Sequence, residues 1–433
     1  MRESDPSPPR LIRAVGLAGL TAIAVNGVIG SGIFVLPATV AALAGAASPA
    51  AYILAAILMA LVVLCFAEAG SLFEQTGGPY VYARVAFGPF AGFLVGWMFF
   101  LSRLAASAAI GNAFVAYLAY FWPALGAGWR RAAVLTLAFG LLTVLNLVGV
   151  RTGSRTVNVL TVSKMVPLLL FVGVGLFAAD PSAYRLLGLP ALNALQQASL
   201  LLVFAFGGFE NANVPAEEST DPKRHLPIAL ILAIGLTTLL YVLIQIVALG
   251  TLPGLAHDRT PLASAAARFL GPAGAAVMTV GAVLSTLGSE SALVLVGPRI
   301  LYAFAQAGQL PAALARIHPR YRTPHVAVLV FSGLAWAAAL TGTFAELATV
   351  SAIARLLFSA ATCLAIPVLR RKLPPAPFRV PGGPLIPLAA AALSIWLLSG
   401  MTRAQTLAGA VALAVGLALY ALIARPGARE GRS

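Results

Sequence analysis

The chain has 433 residues, of which 60% are hydrophobic and only 9% are charged, well below the roughly 25% charged residues of an ordinary soluble domain. No water-soluble fold of this length could bury so much apolar surface, so the composition excludes a soluble protein. The formal net charge of +15 raises the question of a nucleic-acid partner, which only the placement of the basic residues can answer.

Long apolar runs recur along the whole chain, each near the ~20 residues that a helix needs to cross a bilayer. They are continuously apolar, whereas the strands of a membrane barrel alternate over about ten residues. The sequence therefore predicts an all-α polytopic membrane protein with twelve transmembrane helices. The predicted spans, numbered 1 to 12, are 14–43, 48–73, 88–120, 131–149, 154–179, 191–216, 226–250, 273–305, 324–342, 344–370, 383–400 and 404–424.

The basic residues predict the orientation of these spans. With the N-terminus in the cytoplasm, the cytoplasmic segments hold 19 Lys and Arg, the opposite side holds six, and three lie inside spans. This is the positive-inside pattern. It predicts a multi-pass protein of the cell inner (cytoplasmic) membrane with cytoplasmic tails at 1–13 and 425–433, and it explains the basic charge without nucleic acid.

The sequence lacks the motifs of several other functional classes. It has no G-x-x-x-x-G-K-[ST] phosphate loop, no zinc-ligand spacing of His and Cys and no G-x-S-x-G nucleophile motif. We therefore expect no enzymatic activity, no cofactor, no metal and no ATP hydrolysis, so that any pumping is secondary. Membrane lipid surrounds such a chain, and no segment implies an obligate protein partner.

Two spans contain glycine-rich interruptions: NGVIGSGIF at 26–34 in span 1 and FAFGGFEN at 204–211 in span 6. Glycine costs a helix about 1 kcal/mol, paired glycines favour a break, and a break inside a membrane must line a cavity within the protein. Small-residue packing faces are the alternative. However, the two interruptions hold the same place in successive blocks of five spans, the pattern of an inverted-repeat transporter.

The predicted organisation follows from that pattern. The first repeat is 14–179 with spans 1 to 5, the second is 191–370 with spans 6 to 10, and spans 11 and 12 at 383–424 lie outside both. The N–H groups of 30–32 begin the second half of span 1 and suit a carboxylate. The carbonyl groups freed before 207–208 and near 28–29 suit an ammonium group, so the two breaks together favour an amino acid.

These motifs resemble those of the amino acid-polyamine-organocation permeases, a family of secondary transporters. The resemblance covers nearly the whole chain and implies a LeuT-type five-plus-five inverted repeat with helices 1 and 6 broken, working by alternating access. Besides GSGIF and FAFGGFE, it includes in order FAEAGSLFEQTGGPYVYARVAFG at 66–88, PAEESTDPKRHLP at 215–227 and PRILYAFAQAGQLPAALARIHPRYRTP at 298–324.

The resemblance also implies roles for residues of the two breaks. The N–H groups of 30–32 hold the substrate carboxylate, backbone carbonyls at 204–206 receive its amino group, and Phe204 covers the substrate as an aromatic lid. Some basic amino acid exchangers of the family have Trp where this chain has Phe204, so arginine or agmatine exchange is less favoured. The predicted substrate-binding residues are Ile29, Gly30, Ser31, Gly32, Phe204, Ala205, Phe206 and Gly208.

Four further residues are candidates for functional roles. Lys164 lies in span 5, and a lysine at membrane depth is a functional hypothesis by default. Proton-coupled members of the resembled family carry a lysine at this point, which implies that Lys164 gains and loses the coupled proton; snorkelling to the interface is the alternative. Glu210 is a candidate gate. Arg103 and Ser107 are candidate pocket residues, with static ion-pair packing as the alternative for Arg103.

The sequence therefore predicts a secondary active transporter of amino acids, with proton-coupled symport by alternating access as the leading mechanism. The mostly apolar pocket side chains favour a neutral amino acid. One alternative keeps the fold but changes the energetics, an amino acid exchanger or exporter without proton coupling. Another belongs to a different class, a channel or a solute-sensing membrane receptor.

Overall fold

The computed structural model describes residues 16–73, 78–148, 154–184, 191–209 and 222–423. These residues form fourteen α-helices and no β-strand, so the all-α prediction is confirmed. Short 3₁₀ turns join several of them. The helices are α1 Leu17–Val28, α2 Gly32–Ala44, α3 Ser48–Leu72, α4 Pro79–Phe87, α5 Pro89–Phe121, α6 Gly128–Val148, α7 Ser154–Ala178, α8 Leu192–Ala205, α9 Pro222–Thr251, α10 Pro261–Gln306, α11 His325–Thr341, α12 Phe344–Lys372, α13 Leu385–Ser399 and α14 Arg403–Ile423.

Many of the helices are long and apolar enough to cross a membrane, which makes the chain a multi-pass membrane protein. Seven described segments meet both criteria, the first of them joining α2 and α3. The other six are Pro89–Phe121, Gly128–Val148, Arg224–Thr251, Pro261–Gln306, Phe344–Lys372 and Arg403–Leu422. Five shorter apolar helices are Leu17–Val28, Lys164–Ala178, Leu192–Ala205, His325–Thr341 and Leu385–Ser399.

Two helical segments lie where the sequence predicted none. The nine-residue α4 lies in the connection before span 3, between Gly78 and Gly88, both of which have positive φ. The helix α10 begins at Pro261 rather than 273, but Gly271 (φ 67°, ψ −166°) interrupts it. A search for long apolar runs does not detect a short helix that lies outside them, which is why the sequence left both segments as connections.

The packing brings the two interrupted segments to the centre of the protein. The helix α5 packs against α4, α10, α11 and α12, while α3 packs against both α8 and α9. The halves of span 1 have different partners, because α1 packs against α9 and α2 packs against α8. The helix α7 packs against α10 and against α9, which is also the partner of α1.

Reciprocal serine hydrogen bonds join the central helix α5 to α12. The Ser102 hydroxyl donates to the Ser351 carbonyl at 3.0 Å, and the Ser351 hydroxyl donates to the Ser102 carbonyl at 2.8 Å. All four atoms belong to fully buried residues. Small side chains let helices approach closely inside a membrane, and their hydroxyl groups then bond across the interface.

A buried carboxylate fixes the connection between α12 and α13. Glu68 is fully buried on α3 and accepts hydrogen bonds from Arg370 Nε at 2.6 Å and Arg370 Nη2 at 2.7 Å. It also accepts one from the backbone N–H of Val380 at 2.7 Å. Bidentate pairing of this kind gives both geometric specificity and strength, so Glu68 holds the chain after α12 against α3.

We expect Glu68→Gln to lower the stability of the protein, because it leaves the Arg370 guanidinium without its countercharge. Because Arg370 is partly exposed, we expect a loss of about 1–3 kcal/mol, the cost of leaving a hydrogen-bonding group without its partner. Thermal unfolding in detergent checks this, with Arg371→Gln as the matched control because Arg371 is exposed on the same helix. Equal unfolding temperatures for the two variants would contradict the role assigned to Glu68.

Candidate functional site

The first interruption separates α1 from α2. The helix α1 ends at Val28 and α2 begins at Gly32, so 29–31 lie outside both. Ile29 has an extended conformation, with φ −72° and ψ 91°. The carbonyl groups at the end of α1 and the N–H groups at the start of α2 therefore lack their helical partners and face the same small region.

The second interruption follows α8, which ends at Ala205. The next residues turn: the N–H of Phe206 donates to the Leu202 carbonyl and the N–H of Gly207 donates to the Phe204 carbonyl, both at 3.2 Å. Gly208 then has φ +106°, a conformation that favours glycine. Glu210, the predicted gate, lies outside the described residues.

The two interruptions are in direct contact with each other. A Cβ atom placed on Gly208 would collide with the carbonyl oxygen of Gly27. A Cβ atom placed on Gly32 would lie 3.0 Å from the Cα atom of Ala205 and 3.1 Å from its Cβ atom. Both glycines are therefore required by the approach of one backbone to the other, which brings the two sets of freed backbone groups together.

Lys164 reaches the first break from α7. Its ammonium group donates to the carbonyl oxygens of Asn26 at 2.7 Å and Ile29 at 2.6 Å, and its side chain is only 6% exposed. The carbonyl end of a helix carries the negative pole of the helix dipole. Lys164 thus places a cation on the end of α1, rather than extending to the protein surface.

Tyr241 links the two breaks, and the sequence analysis did not identify it. From α9, its hydroxyl group lies 3.2 Å from the Val28 carbonyl and 3.3 Å from the Ala205 carbonyl, so one donor serves the ends of both α1 and α8. A tyrosine within an apolar span needs a hydrogen-bond partner for its hydroxyl group. That requirement was the one available signal for this residue.

Three side chains adjoin the breaks, one each from α8, α10 and α12. The Phe204 ring packs edge-on against Phe344, with centroids 5.7 Å apart, and its Cδ1 atom is 3.3 Å from a Cβ position on Gly32. The Ser289 hydroxyl group is 3.3 Å from a Cβ position on Gly30. The Arg355 guanidinium lies against Gly207, where a Cβ atom would collide with it.

The two candidate pocket residues on α5 have different surroundings. The Arg103 guanidinium lies over the Phe99 ring, 4.8 Å from its centroid, and is directed toward the preceding turn of α5. Ser107, one turn further along, donates a hydrogen bond to the Glu290 carboxylate on α10. Ser107 therefore connects α5 to α10.

The site retains hydrogen-bonding capacity for a small polar solute. Within the part of the chain that the structure describes, the Ser31 hydroxyl and the Asn26 side-chain oxygen are buried without a hydrogen-bond partner. The carbonyls of Ile29 and Ala205 already accept bonds from Lys164 and Tyr241, but each carbonyl can accept a second. The described residues contain no group of three His, Cys, Asp or Glu side chains that could hold a metal ion.

The chain is similar to known membrane transporters along almost its whole length. The family model described as amino acid permease matches residues 15–422. The methylthioribose transporter of Bacillus subtilis is 30% identical, over 96% of this chain and 94% of that protein. A branched-chain amino acid permease and a serine/threonine exchanger of the same organism are 28% and 27% identical, each over at least 94% of both chains.

We expect Gly208→Ala to reduce transport for two reasons. The new Cβ atom would collide with the Gly27 carbonyl oxygen, and the alanine would have to keep the positive φ of residue 208. Strain of about 1–3 kcal/mol corresponds to a loss of roughly five- to hundredfold. Uptake of labelled amino acids into proteoliposomes checks this. The control is Gly333→Ala, since a Cβ atom on Gly333 meets open space; similar activity in both variants would show that the two breaks need not touch.

We expect Tyr241→Phe to slow uptake, because the ends of α1 and α8 lose the donor that they share. The matched control is Tyr52→Phe. The Tyr52 ring packs edge-on against Tyr241 at 6.2 Å, and its hydroxyl group has no hydrogen-bond partner among the described residues. A lost hydrogen bond costs about 1 kcal/mol, or roughly fivefold in rate if that bond holds the transporting state; equal rates in the two variants would refute the bridging role.

Proposed function

The chain belongs to the amino acid permease family, and we propose that it is a secondary active transporter that symports neutral amino acids with protons by alternating access. The family match and the transporters among its relatives indicate a carrier rather than an enzyme. The observation that carries the proposal is the contact of the Lys164 ammonium with the Asn26 and Ile29 carbonyls.

Lys164 is the proposed proton carrier. When it is protonated, its positive charge opposes the negative end of α1 and holds that end against α7. Loss of the proton removes the charge and leaves only weak hydrogen bonds to the two carbonyls. The end of α1 then separates more easily from α7, and the substrate-binding groups that continue from it move with it. Proton binding and substrate access are thereby coupled through one helix end.

The substrate in this proposal is an amino acid bound between the two breaks. The N–H groups of 30–32 hold the carboxylate and the carbonyls of 204–206 share the ammonium group, with Gly208 allowing the close approach. Phe204 closes the site from the side of Phe344. The mostly apolar walls favour a neutral amino acid, and Glu210, Arg103 and Ser107 remain proposed gate or pocket residues. Relatives are named for branched-chain amino acids and for serine and threonine.

The proposed architecture is an inverted repeat of 14–179 and 191–370, with twelve spans, both termini in the cytoplasm, and 383–424 outside the repeats. The packing supports it. In this architecture α8 is the counterpart of α1, and α3 is the counterpart of α9. Likewise, α10 is the counterpart of α5, and α7 is the counterpart of α12. The pair α1 and α9 is therefore equivalent to α8 and α3, the pair α5 and α12 is equivalent to α10 and α7, and all four pairs are in contact. The 19 to 6 distribution of basic residues supports the orientation in the inner membrane.

An amino acid exchanger is the second candidate. The observation that favours it is the relative named as a serine/threonine exchanger, which is similar over 94% of this chain. An exchanger with the same site would need an amino acid on both sides of the membrane and would not depend on a proton at Lys164.

Uptake into proteoliposomes separates the two candidates. A panel of labelled amino acids is offered with and without an imposed acid-outside pH gradient, and accumulation above equilibrium is scored. Symport predicts accumulation only with the gradient and without any internal amino acid. Uptake that requires preloaded amino acid and ignores the gradient would replace the symport proposal with exchange.

We expect Lys164→Met to abolish gradient-driven accumulation, because no group then links the proton to the end of α1. The matched control is Lys372→Met, since Lys372 also donates to two carbonyls, those of Val85 at 3.3 Å and Ala86 at 2.9 Å, but is exposed. Thermal stabilisation by amino acid shows whether each variant still folds and binds. Uphill uptake by a folded Lys164→Met protein would contradict the assignment.

A further inference from the structure

Glu290 is a buried carboxyl group in α10 to which the mechanism above gives no role. Its side chain is 4% exposed. One oxygen, Oε1, accepts a hydrogen bond from the Ser107 hydroxyl group. The other, Oε2, is buried and has no hydrogen-bond partner within the described residues. The Oε2 atom can therefore form a further hydrogen bond inside the protein.

The position of Glu290 is fixed by its neighbours on two helices. The adjacent Ser289 places its hydroxyl group 3.3 Å from a Cβ position on Gly30, so α10 runs along the first break at this level. Ser107 belongs to α5, which packs against α10. The Glu290 carboxyl group thus lies between α5 and α10, and the residue before it in the chain, Ser289, lies at the first break.

The buried carboxyl group of Glu68 provides a comparison, because both of its oxygens accept hydrogen bonds from the protein. Glu68 is also fully buried, but its oxygens accept bonds from Arg370 and from the Val380 N–H group. An unsatisfied buried acceptor is unfavourable in a protein interior and more so within a membrane. The half-satisfied state of Glu290 is explained if a ligand supplies the missing donor.

We propose that Glu290 is a specificity-determining residue of the transport site, whose free Oε2 accepts a hydrogen bond from a donor on the substrate side chain, with Ser107 as a positioning residue. The inference rests on the proposed function and narrows its substrate class to neutral amino acids with a hydroxyl group on the side chain. The apolar walls contact the rest of that side chain. The carboxyl group rejects purely aliphatic side chains of the same shape, because they leave it unpaired.

Competition between matched amino acids tests this proposal in proteoliposomes. Threonine is compared with valine and serine with alanine, each as a competitor of the best labelled substrate. We expect the donor-bearing member of at least one pair to compete about fivefold better or more, the factor that one hydrogen bond of about 1 kcal/mol supplies. Equal competition within every pair would overturn the proposal.

Variants of Glu290 identify the source of any preference. Glu290→Leu should abolish it. Glu290→Gln should keep the preference for threonine or serine, because the amide oxygen still accepts a hydrogen bond. Glu346→Gln is the control, since Glu346 is an exposed carboxylate at the start of α12. A preference unchanged in Glu290→Leu would overturn the assignment.

Binding gives a second readout that does not depend on transport. The stabilisation of the purified protein by each amino acid follows its affinity, so the same pairs are compared by thermal unfolding in detergent. If Glu290→Leu does not fold, Ser107→Ala replaces it and should lower the preference at least several-fold, whereas an unchanged preference would count against the proposal. A wild-type protein that transports none of the four amino acids, yet binds them with the expected preference, would refute the proposed function and leave the Glu290 assignment intact.

Discussion

Backbone hydrogen bonding inside the membrane is the constraint on which this structure depends. A helix that stops within a bilayer leaves N–H and C=O groups that lipid cannot satisfy, and the chain stops two helices, α1 and α8, at breaks that contact each other. The Lys164 ammonium bonds two carbonyls at the end of α1, and the Tyr241 hydroxyl group serves the ends of both helices. The protein thus supplies donors for the carbonyl ends, while a zwitterionic solute suits the groups that remain.

The same kinds of polar side chain are used in two different ways. Glu68 is fully bonded and joins segments that should not move, whereas Glu290 is bonded at one oxygen only beside the proposed site. Lys372 bonds the carbonyl end of α4 at the protein surface, whereas Lys164 bonds the end of α1 in the interior. Burial and incomplete bonding, rather than residue type, separate the groups that are proposed to respond to a solute or a proton from those that hold helices together.

The sequence predicts those features that a local pattern determines. Continuous apolar runs gave the helices, and clustered glycines such as Gly30 and Gly32 gave the interruption between α1 and α2, because both effects act within a few residues. It did not identify Tyr241, because its role depends on the approach of α9 to two helix ends that are distant in sequence. The short α4 and the kink at Gly271 were also missed, since neither alters the apolar runs on which the prediction rested. Glu210 falls outside the described residues, and its role stays a prediction.

The central claim is that a proton and an amino acid move together because Lys164 holds the end of α1. The most direct measurement is the internal pH of de-energised proteoliposomes that enclose a pH-sensitive dye, recorded when the transported amino acid is added outside. The account predicts acidification that depends on the amino acid and is absent in Lys164→Met, although that variant still exchanges labelled for unlabelled amino acid. Entry of the amino acid into wild-type vesicles without any change of internal pH would contradict it.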